Sequence, residues 1–361
     1  MSRAAATTAR VTAPEVPHSR PCLGRDEEEA ARRVLASGML APGPEAAGAA
    51  ARLARLSGCG AAVLLSSGTT ALTLALRALG VGPRDGVAIP SYACAAILHG
   101  VRAVPARPLL CDIDPGTLAL DPEDVTRRSR GRARAAVLVH PFGLPVGVDP
   151  FRARGLLVVE DCAQAVGGSD RSAPVGSRGD AAVFSFAPTK IVTCGGPGGG
   201  LASPRIAIVN EARDLAQHDG KDDDRPRTNG LMGDLHAAIA SAQMARLPEF
   251  RDRRLSIARL YDDAFARHGL ARAPAPEGVE PIVYRYVVRV PAAPRLIETL
   301  NRLGIGARHP VYLPLHRLTR AGGEFPHTER AHRTLVSLPL YPALSDTEIG
   351  RVITEVRRCL S

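Results

Sequence analysis

Lys190 follows a short apolar segment, residues 181–186, that is predicted to be a buried strand, and a glycine-rich loop lies just beyond it. Of the 46 lysine and arginine residues in the chain, only Lys190 and Lys221 are lysine. Arginine replaces lysine readily as a solvated cation, but a guanidinium stays protonated and cannot form an imine. Lys190 is therefore a candidate Schiff-base amine. Lys221 lies in an acidic polar loop, which is typical of a solvated side chain.

Two more predicted strands end in polar groups that could bind a ligand. Strand 61–67 runs into SSGTT at 66–70, a helix start whose free N–H groups and dipole suit a phosphate. Strand 156–161 ends at Asp161, and a carboxylate buried there needs a cationic or hydrogen-bonding partner. Each pattern also fits a plain helix cap, so neither alone decides between a ligand and a cap.

A phosphate-binding helix start, a buried carboxylate and a reactive amine are the three contacts that pyridoxal 5′-phosphate (PLP) requires. The phosphate needs an anion site, the pyridine nitrogen needs a carboxylate that keeps it protonated, and the aldehyde carbon needs a lysine. Ligands of open α/β sheets bind beyond the carboxyl ends of the strands, where all three groups are predicted. The sequence thus predicts a PLP site. The scattered cysteines do not form the pairs typical of a metal site, and no metal is expected.

Short apolar segments alternate with amphipathic helices over the first two thirds of the chain, which predicts βα units and a mostly parallel sheet. The predicted strands cover residues 61–67, 86–90, 107–113, 135–140, 156–161, 181–186, 199–203 and 281–290. The predicted helices cover residues 26–37, 44–56, 69–79, 93–102, 121–128, 234–247, 248–268, 294–303 and 346–359. This order favours an α/β fold.

The pattern changes after the polar stretch 218–230, which indicates a second domain. We predict a PLP-binding large domain over residues 21–248 and a smaller C-terminal α/β domain over residues 249–361. Residues 1–20 contain no apolar run and are predicted to be a disordered tail. An organelle transit peptide is the alternative for this segment, because it contains Arg, Ala and Thr and few acids.

The sequence resembles the DegT/StrS family of PLP-dependent sugar aminotransferases over about residues 20–358. The motifs that carry the resemblance are SRPCLG…SGMLAPGPE (19–45), SSGTTALTLALRALGVGPRDGVAIPSYAC (66–94), CDIDPGTLALDPEDV (111–125), VHPFG (139–143), VVEDCAQAVG (158–167), GDAAVFSFAPTK (179–190), NGLMGDLHAAIASAQMARL (229–247) and SLPLYP (337–342). They are specific in combination, since several occur in the family's order and spacing. The resemblance implies the three-layer fold type I architecture and an aminotransferase.

The resemblance also implies a role for each matching residue. Lys190 would form the Schiff base with PLP and then move the substrate proton, and Asp161 would pair with the pyridinium nitrogen. The implied cofactor-binding residues are Gly68, Thr69, Cys94, Asp161, Gln164, Ser185 and Asn229. Of these, Gly68, Thr69 and Ser185 would hold the phosphate, and Gln164 would lie against the ring or its phenolic oxygen. Asn229 matches an asparagine that reaches the phosphate from the neighbouring subunit, which implies a homodimer with shared active sites.

The chain departs from the family pattern at several positions. Cys94 stands where many members place an aromatic residue over the ring, so a softer sulfur contact is expected there. The other departures are Ile191 for Asn, Pro197 for Glu, Leu231 for Arg and Ala41 for Thr or Ser. None of them removes a group that the half-reactions require. They bear instead on the pocket for the acceptor.

The C-terminal segment ARHPVYLPLH (307–316) resembles a family segment on the substrate side of the pocket. It supplies His309, Tyr312 and His316 as candidate substrate residues, although Pro310 interrupts the family's HY pair. Structural roles in the small domain are the alternative for these side chains. Family members that act as dehydratases have a histidine at the lysine position, so Lys190 favours the aminotransferase branch.

The composition of the chain limits which classes of partner it could bind and which cellular compartment suits it. The chain has 361 residues, a formal net charge of +10, and no apolar run of the length that crosses a membrane. Its seven scattered cysteines favour a reducing cytoplasm over a disulfide framework. The arginine-rich run 127–134 lacks interleaved aromatic residues, so we expect a solvated loop there rather than a nucleic-acid site. The positive field would steer anionic small molecules.

These observations favour a PLP-dependent aminotransferase that moves an amino group from glutamate or glutamine to a keto sugar. The sugar is expected to be nucleotide-linked and to serve glycan or secondary-metabolite biosynthesis. Two alternatives stay open. One is a PLP enzyme of the same fold with a different acceptor or reaction, and the other is a non-catalytic regulatory or scaffold protein on a decayed aminotransferase fold.

Overall fold

The computed structural model describes residues 15–270, 272 and 275–360. The strands are β1 (Ala61–Leu65), β2 (Gly86–Pro90), β3 (Arg107–Cys111), β4 (Ala133–Val139), β5 (Leu157–Asp161), β6 (Ser169–Asp170), β7 (Ala173–Pro174), β8 (Ala181–Ser185), β9 (Gly199–Ser203), β10 (Val279–Glu280), β11 (Tyr286–Arg289) and β12 (Leu335–Leu338). The helices are α1 (Arg25–Ser37), α2 (Pro44–Leu56), α3 (Gly68–Ala78), α4 (Ala95–Arg102), α5 (Pro122–Ser129), α6 (Asp149–Arg152), α7 (Ile206–Leu215), α8 (Asp234–Ala245), α9 (Leu247–Phe265), α10 (Ala293–Arg302), α11 (Leu315–Thr319), α12 (Pro326–Thr334) and α13 (Asp346–Leu360).

A seven-stranded sheet with the order β1-β9-β8-β5-β4-β2-β3 forms the centre of the large domain. Only β9 runs antiparallel to its neighbours, and the other strand pairs are parallel. Strands that are covered on both faces have nearly continuous apolar sequences, and every residue of β2 is buried. The predicted mostly parallel α/β sheet is confirmed.

Helices cover both faces of the sheet and make three layers. Val63 and Leu65 of β1 belong to the same core as α3, α4 and α7, whereas Ala62 and Leu64 belong to the core with α2 and α8. Side chains alternate across a strand, which explains why neighbouring residues enter different cores. The carboxyl ends of the parallel strands are left free of helices between the layers, and the site lies there.

The C-terminal part forms a second core around the antiparallel pair of β11 and β12. Tyr261 and Tyr286 meet in this core edge to face, with ring centroids 5.0 Å apart. The predicted strand 281–290 is too long, since β11 covers only its second half. Val283 has a φ of 48°, and the N–H of Tyr284 donates to the carbonyl of Phe142 in the large domain (2.9 Å), so the first half is drawn out of the strand.

The predicted tail is wrong for residues 15–20, while residues 1–14 lie outside the described chain. Val16 is buried and forms a bridge to Ile305, with its N–H donating to the carbonyl of Gly304 (3.0 Å). His18 is buried beside Ser337, whose hydroxyl lies 2.9 Å from Nε2 of His18. The segment is ordered because it completes the small-domain core, which its composition does not indicate.

Helix α9 crosses the predicted domain boundary. Leu247 packs in a core of the large domain and Ile257 in the core of the C-terminal part. The boundary between residues 248 and 249 stays a prediction. Among the described helices, none is both long and apolar enough to cross a lipid bilayer.

Candidate active site

A cavity of about 800 Å³ opens at the carboxyl ends of β2, β4, β5 and β8. It is lined by several of the predicted site residues, namely Cys94, Gln164, Lys190, His309 and Tyr312. The other predicted cofactor residues stand around it without lining it. We call this space the active-site cavity.

Lys190 lies in a tight turn directly after β8. Its N–H donates to the carbonyl of Ala187 (2.9 Å), and the next residue, Ile191, is buried in a core of the large domain. These contacts fix the main chain, so the half-buried lysine side chain projects into the active-site cavity. Its Nζ lies 5.4 Å from the centroid of the Tyr284 ring, a cation–π distance.

Asp161 ends β5 next to Lys190. One carboxylate oxygen accepts a hydrogen bond from the N–H of Ala163 (3.0 Å). Burial raises the pKa of the Asp161 carboxyl above its usual value, although the Ala163 N–H and the charge of Lys190 act in the opposite direction. A carboxylate that is desolvated in this way is stabilised by a cation, and a protonated pyridine nitrogen is such a cation.

The start of α3 forms a cradle of the kind that holds a phosphate. Ser67 caps the helix by accepting the N–H of Thr70 (3.0 Å), while the N–H groups of Gly68 and Thr69 bond no acceptor within the described chain. A Cβ on Gly68 would lie 3.1 Å from Cβ of Ser185, so the predicted phosphate residues adjoin one another. A PLP phosphate therefore fits here. The helix cap at Ser67 and a phosphate site at the free N–H groups are compatible with each other.

Gln164 supports the wall of the active-site cavity. Its Oε1 accepts the N–H of Phe142 (3.0 Å), which lies in the turn after β4 and has a φ of 55°. The Phe142 ring meets Tyr92 edge to face at 6.5 Å, and both line the cavity. Gln164 thus holds a strained turn in place, in addition to the contact with the cofactor that we predict.

The C-terminal candidates divide into two groups. His309 and Tyr312 line the active-site cavity, and Tyr312 is 92% exposed at its rim. His316 does not reach the cavity, so its predicted contact with substrate is not supported. Its Nδ1 lies 2.7 Å from Oγ of Ser91 and its Nε2 lies 2.8 Å from Glu329, which gives it a structural role.

Asn229 is exposed and does not line the cavity of its own chain. The loop that carries it is held by the carbonyl of Gly230, which accepts the N–H of Ser66 (2.8 Å). The contact of Asn229 with the cofactor phosphate of a neighbouring subunit remains a prediction.

Sequence reasoning missed several residues of the cavity wall, chiefly Tyr284, Arg285, Arg308 and His18. Arg285 donates to the hydroxyl of Tyr284 (3.1 Å) and also lies 2.8 Å from Nδ1 of His18. Burial alone raises the pKa of the Tyr284 phenol, but the charges of Lys190 and Arg285 and a hydrogen bond with Thr189 lower it overall. No spacing signal in the sequence links these residues to Lys190.

A buried polar pair lies behind Asp161. Nδ1 of His140 accepts the N–H of Val146 (3.1 Å), so Nε2 carries the proton and donates to Glu160 (3.0 Å). Glu160 also accepts the N–H groups of Gly176 (3.0 Å) and Arg178 (3.1 Å). These bonds tie the strand end that carries Asp161 to the loop before β8.

A family model of the DegT/DnrJ/EryC1/StrS aminotransferases matches residues 21–357 of the chain. The chain belongs to this family. It is 34% identical to the dTDP-4-dehydro-2,3,6-trideoxy-D-glucose 4-aminotransferase of Saccharopolyspora spinosa, over 94% of this chain and 95% of that protein.

Solved structures place this DegT-family chain among PLP enzymes. The aminotransferase TlmJ from Streptoalloteichus hindustanus has a TM-score of 0.90 and 34% identity, over 96% of this chain and 98% of that one. Spr1654 from Streptococcus pneumoniae, in its PLP form, has a TM-score of 0.88 and 26% identity, over 96% and 100%. The predicted PLP cofactor, fold type I architecture and sugar aminotransferase class are confirmed.

We expect Tyr284→Phe to lower the turnover of this aminotransferase by about tenfold, because the ring loses the hydroxyl that receives a charged hydrogen bond from Arg285. Steady-state kinetics with saturating amino donor checks the effect. Tyr286→Phe is the matched control, since its hydroxyl bonds Asp262 (2.9 Å) away from the cavity. Equal turnover of the two variants would contradict the expectation.

We expect Glu160→Gln to lower the free energy of unfolding at neutral pH by about 2 to 3 kcal/mol, because a buried, fully bonded carboxylate is replaced by a poorer acceptor. Burial raises the pKa of Glu160, but His140 and the N–H groups of Gly176 and Gly179 hold it below its usual value in the folded chain. The carboxylate therefore stabilises the fold fully above this value and less as the pH falls below it. Urea unfolding at several pH values, with exposed Glu298→Gln as control, should show a difference that shrinks only in acid.

Proposed function

We propose that this aminotransferase moves an amino group from glutamate or glutamine to the keto group of a nucleotide-linked sugar, for glycan or secondary-metabolite biosynthesis. The relative from Saccharopolyspora spinosa is named for a dTDP-linked dehydro sugar. At 34% identity, the reaction class carries over more readily than the particular sugar.

The observation that carries the proposal is the charge of the active-site cavity. Arg285 and Arg308 line it together with Lys190, and no Asp or Glu is found among its described lining residues. A diphosphate linker and the carboxylates of the amino donor are anions that guanidinium groups bind with charge-assisted hydrogen bonds. A neutral free sugar would leave these charges without a partner.

The position of Tyr312 supports the proposal that the acceptor sugar is linked to a nucleotide. Its ring is 92% exposed at the rim of the cavity, next to the segment that carries Arg308. An exposed ring beside a phosphate-binding group can stack on a nucleobase. Of the departures from the family pattern, Ile191, Pro197 and Leu231 do not line the cavity of a single chain, whereas Cys94 does.

The geometry around β5 and β8 supports the residue roles that the family resemblance implies. PLP, when bound, supplies an electron sink. Lys190 supplies the amine for the aldehyde carbon and then holds the substrate proton at Nζ. Asp161 holds the proton at the pyridine nitrogen, and the cradle at Gly68, Thr69 and Ser185 binds the phosphate.

A homodimer is the proposed assembly. Leu35, Met39 and Leu40 are 59%, 65% and 51% exposed within one short segment, an apolar surface that a second copy would cover. Met39→Glu should therefore shift the mass measured by sedimentation equilibrium toward the monomer. Ile206→Glu, which introduces the same charge at an exposed residue elsewhere, should not.

A cytoplasmic location is proposed from the thiols. All seven cysteines are free, and three of them, Cys111, Cys162 and Cys194, are buried. Free thiols persist in reducing compartments.

The test is an acceptor panel with PLP-loaded protein and either glutamate or glutamine. Nucleotide-linked keto sugars should yield amino sugars by mass spectrometry, and the same sugars without the nucleotide should not. Arg308→Ala should raise KM for the nucleotide-linked acceptor by about tenfold or more with a smaller change in kcat. The exposed Arg295→Ala is the charge-matched control. Equal turnover with nucleotide-free acceptors would favour the alternative of a different acceptor.

A further inference from the structure

A second cavity, of about 740 Å³, lies along β3 at the outer edge of the sheet and shares no lining residue with the active-site cavity. We call it the basic cleft. Six arginines line it, namely Arg102, Arg107, Arg127, Arg128, Arg130 and Arg132. Glu324 is the only acid among its described lining residues. The sequence prediction of a solvated loop did not foresee that arginines from α4, β3 and the turn after α5 converge.

Two of these arginines share one buried carboxylate. Arg127 and Arg128 both pair with the buried carboxylate of Asp124, and Arg128 also donates to the carbonyl of Glu324. The carboxylate of Asp124 offsets one of their two positive charges, and these bonds hold both side chains in the wall of the basic cleft.

The other four arginines have no such partners. They are exposed, and their guanidinium groups make no hydrogen bond or ion pair within the described part of the chain; they are Arg102, Arg107, Arg130 and Arg132. Four like charges around one cavity raise the local positive potential, and a multiply charged anion lowers the energy of such an arrangement.

Protection of the sheet edge explains only part of this pattern. An outer strand often carries a charge and a proline that discourage pairing with another chain, and Arg107 and Pro108 in β3 fit this purpose. Arg102 ends α4, and Arg130 and Arg132 follow α5, so none of these three lies on the strand. Protection of the sheet edge therefore does not account for their convergence on the cleft.

A nucleobase would be recognised in the basic cleft only if an aromatic ring were free to stack on it. Phe325 is the one aromatic residue in the described lining. The guanidinium of Arg128 lies 4.1 Å from its centroid, and the ring of His316 stacks on it at 4.5 Å. The Phe325 side chain is only 3% exposed, so its ring is not available to a ligand. No ring is left to stack on a base, which separates this cleft from single-strand nucleic-acid sites.

We propose that the basic cleft binds an oligophosphate, either inorganic pyrophosphate or the diphosphate of a nucleotide, through Arg102, Arg107, Arg130 and Arg132. The phosphates are recognised by charge and by forked hydrogen bonds from the guanidinium groups. The base of a nucleotide contributes little. This site is separate from the proposed acceptor site and does not depend on it.

The test is titration calorimetry of the PLP-loaded protein with pyrophosphate, ADP and orthophosphate at low salt. Arg308→Ala protein serves as the background, because it weakens anion binding in the active-site cavity. Pyrophosphate and ADP should bind with similar Kd and orthophosphate more weakly. In the same background, Arg130→Ala with Arg132→Ala should raise the Kd for pyrophosphate by about tenfold or more, as should Arg102→Ala with Arg107→Ala. The exposed pair Arg84→Ala with Arg259→Ala is the control.

Three results would overturn the proposal. The first is unchanged pyrophosphate binding in both double variants. The second is ADP binding much tighter than pyrophosphate, which would mean that a base is recognised. The third is a short DNA duplex that binds more tightly than pyrophosphate and loses affinity in the cleft variants, which would make the cleft a nucleic-acid surface. Circular dichroism of each variant shows whether the fold is retained.

Discussion

We expect Lys190→Ala to lower aminotransferase turnover by at least about a thousandfold, because the variant would have no amine to join the aldehyde carbon or to hold the substrate proton. The measurement is single-turnover formation of the amino product, together with the absorbance of the PLP-loaded protein. The variant should also lose the absorbance band of a protonated Schiff base, which is a readout apart from activity.

Two further variants separate the amine from the charge. Lys190→Arg keeps a cation near Asp161 and Tyr284 but cannot form an imine, so it should be as inactive as the alanine variant. Lys221→Ala removes the other lysine, which pairs with Asp214 at the surface, and should leave turnover unchanged. Substantial turnover in both Lys190 variants would exclude its proposed role. Absence of turnover in the natural protein with every acceptor would favour the non-catalytic alternative.

Asp161→Asn should lower kcat by about a hundredfold or more, since breaking a buried ion pair costs about 3 to 5 kcal/mol and 1.4 kcal/mol corresponds to about tenfold. The amide keeps the size of the side chain and its bond to the Ala163 N–H but loses the negative charge. Half-reaction kinetics with the amino donor alone isolates this effect from acceptor binding.

The control for Asp161→Asn is a second Asp→Asn change, at Asp170, which does not line the active-site cavity. Asp170 is half-buried and forms only a long ion pair with Arg178 (3.5 Å), so Asp170→Asn should leave kcat within about twofold. Equal losses of kcat in Asp161→Asn and Asp170→Asn would contradict a specific role for the Asp161 charge.

The parts of the fold that sequence predicted well are those with a local signal. Strands buried on both faces have continuous apolar runs, and β2 and β9 match the predicted ranges. Helix α7 was not predicted, because Arg205 offers no side-chain cap and the apolar Ile206 that follows is 62% exposed, so a start signal is absent although Val209, Ala212 and Leu215 are buried. β12 was missed because a segment of three apolar residues and one serine does not distinguish a strand from a helix.

The active site divides in the same way. Lys190, Asp161 and the cradle at Gly68 were predictable, because each directly follows a strand and parallel strands end at one edge of the sheet. Tyr284 and Arg285 come from the C-terminal part, and their residue types have no spacing that points to Lys190. Which distant residues complete a cavity depends on packing between the two parts of the chain, and no periodicity within either part specifies it.

His18 bonds Ser337 across 319 positions of the chain, and together with Arg285 it lines the wall of the active-site cavity where we propose that the acceptor binds. During synthesis the cradle, Asp161 and Lys190 all emerge well before Ser337 does. Loop closure over such a separation is slow compared with local folding. We therefore expect the cofactor half of the site to form early on the ribosome and the acceptor half to form last, so that a truncated chain would hold PLP next to an open, unselective cavity.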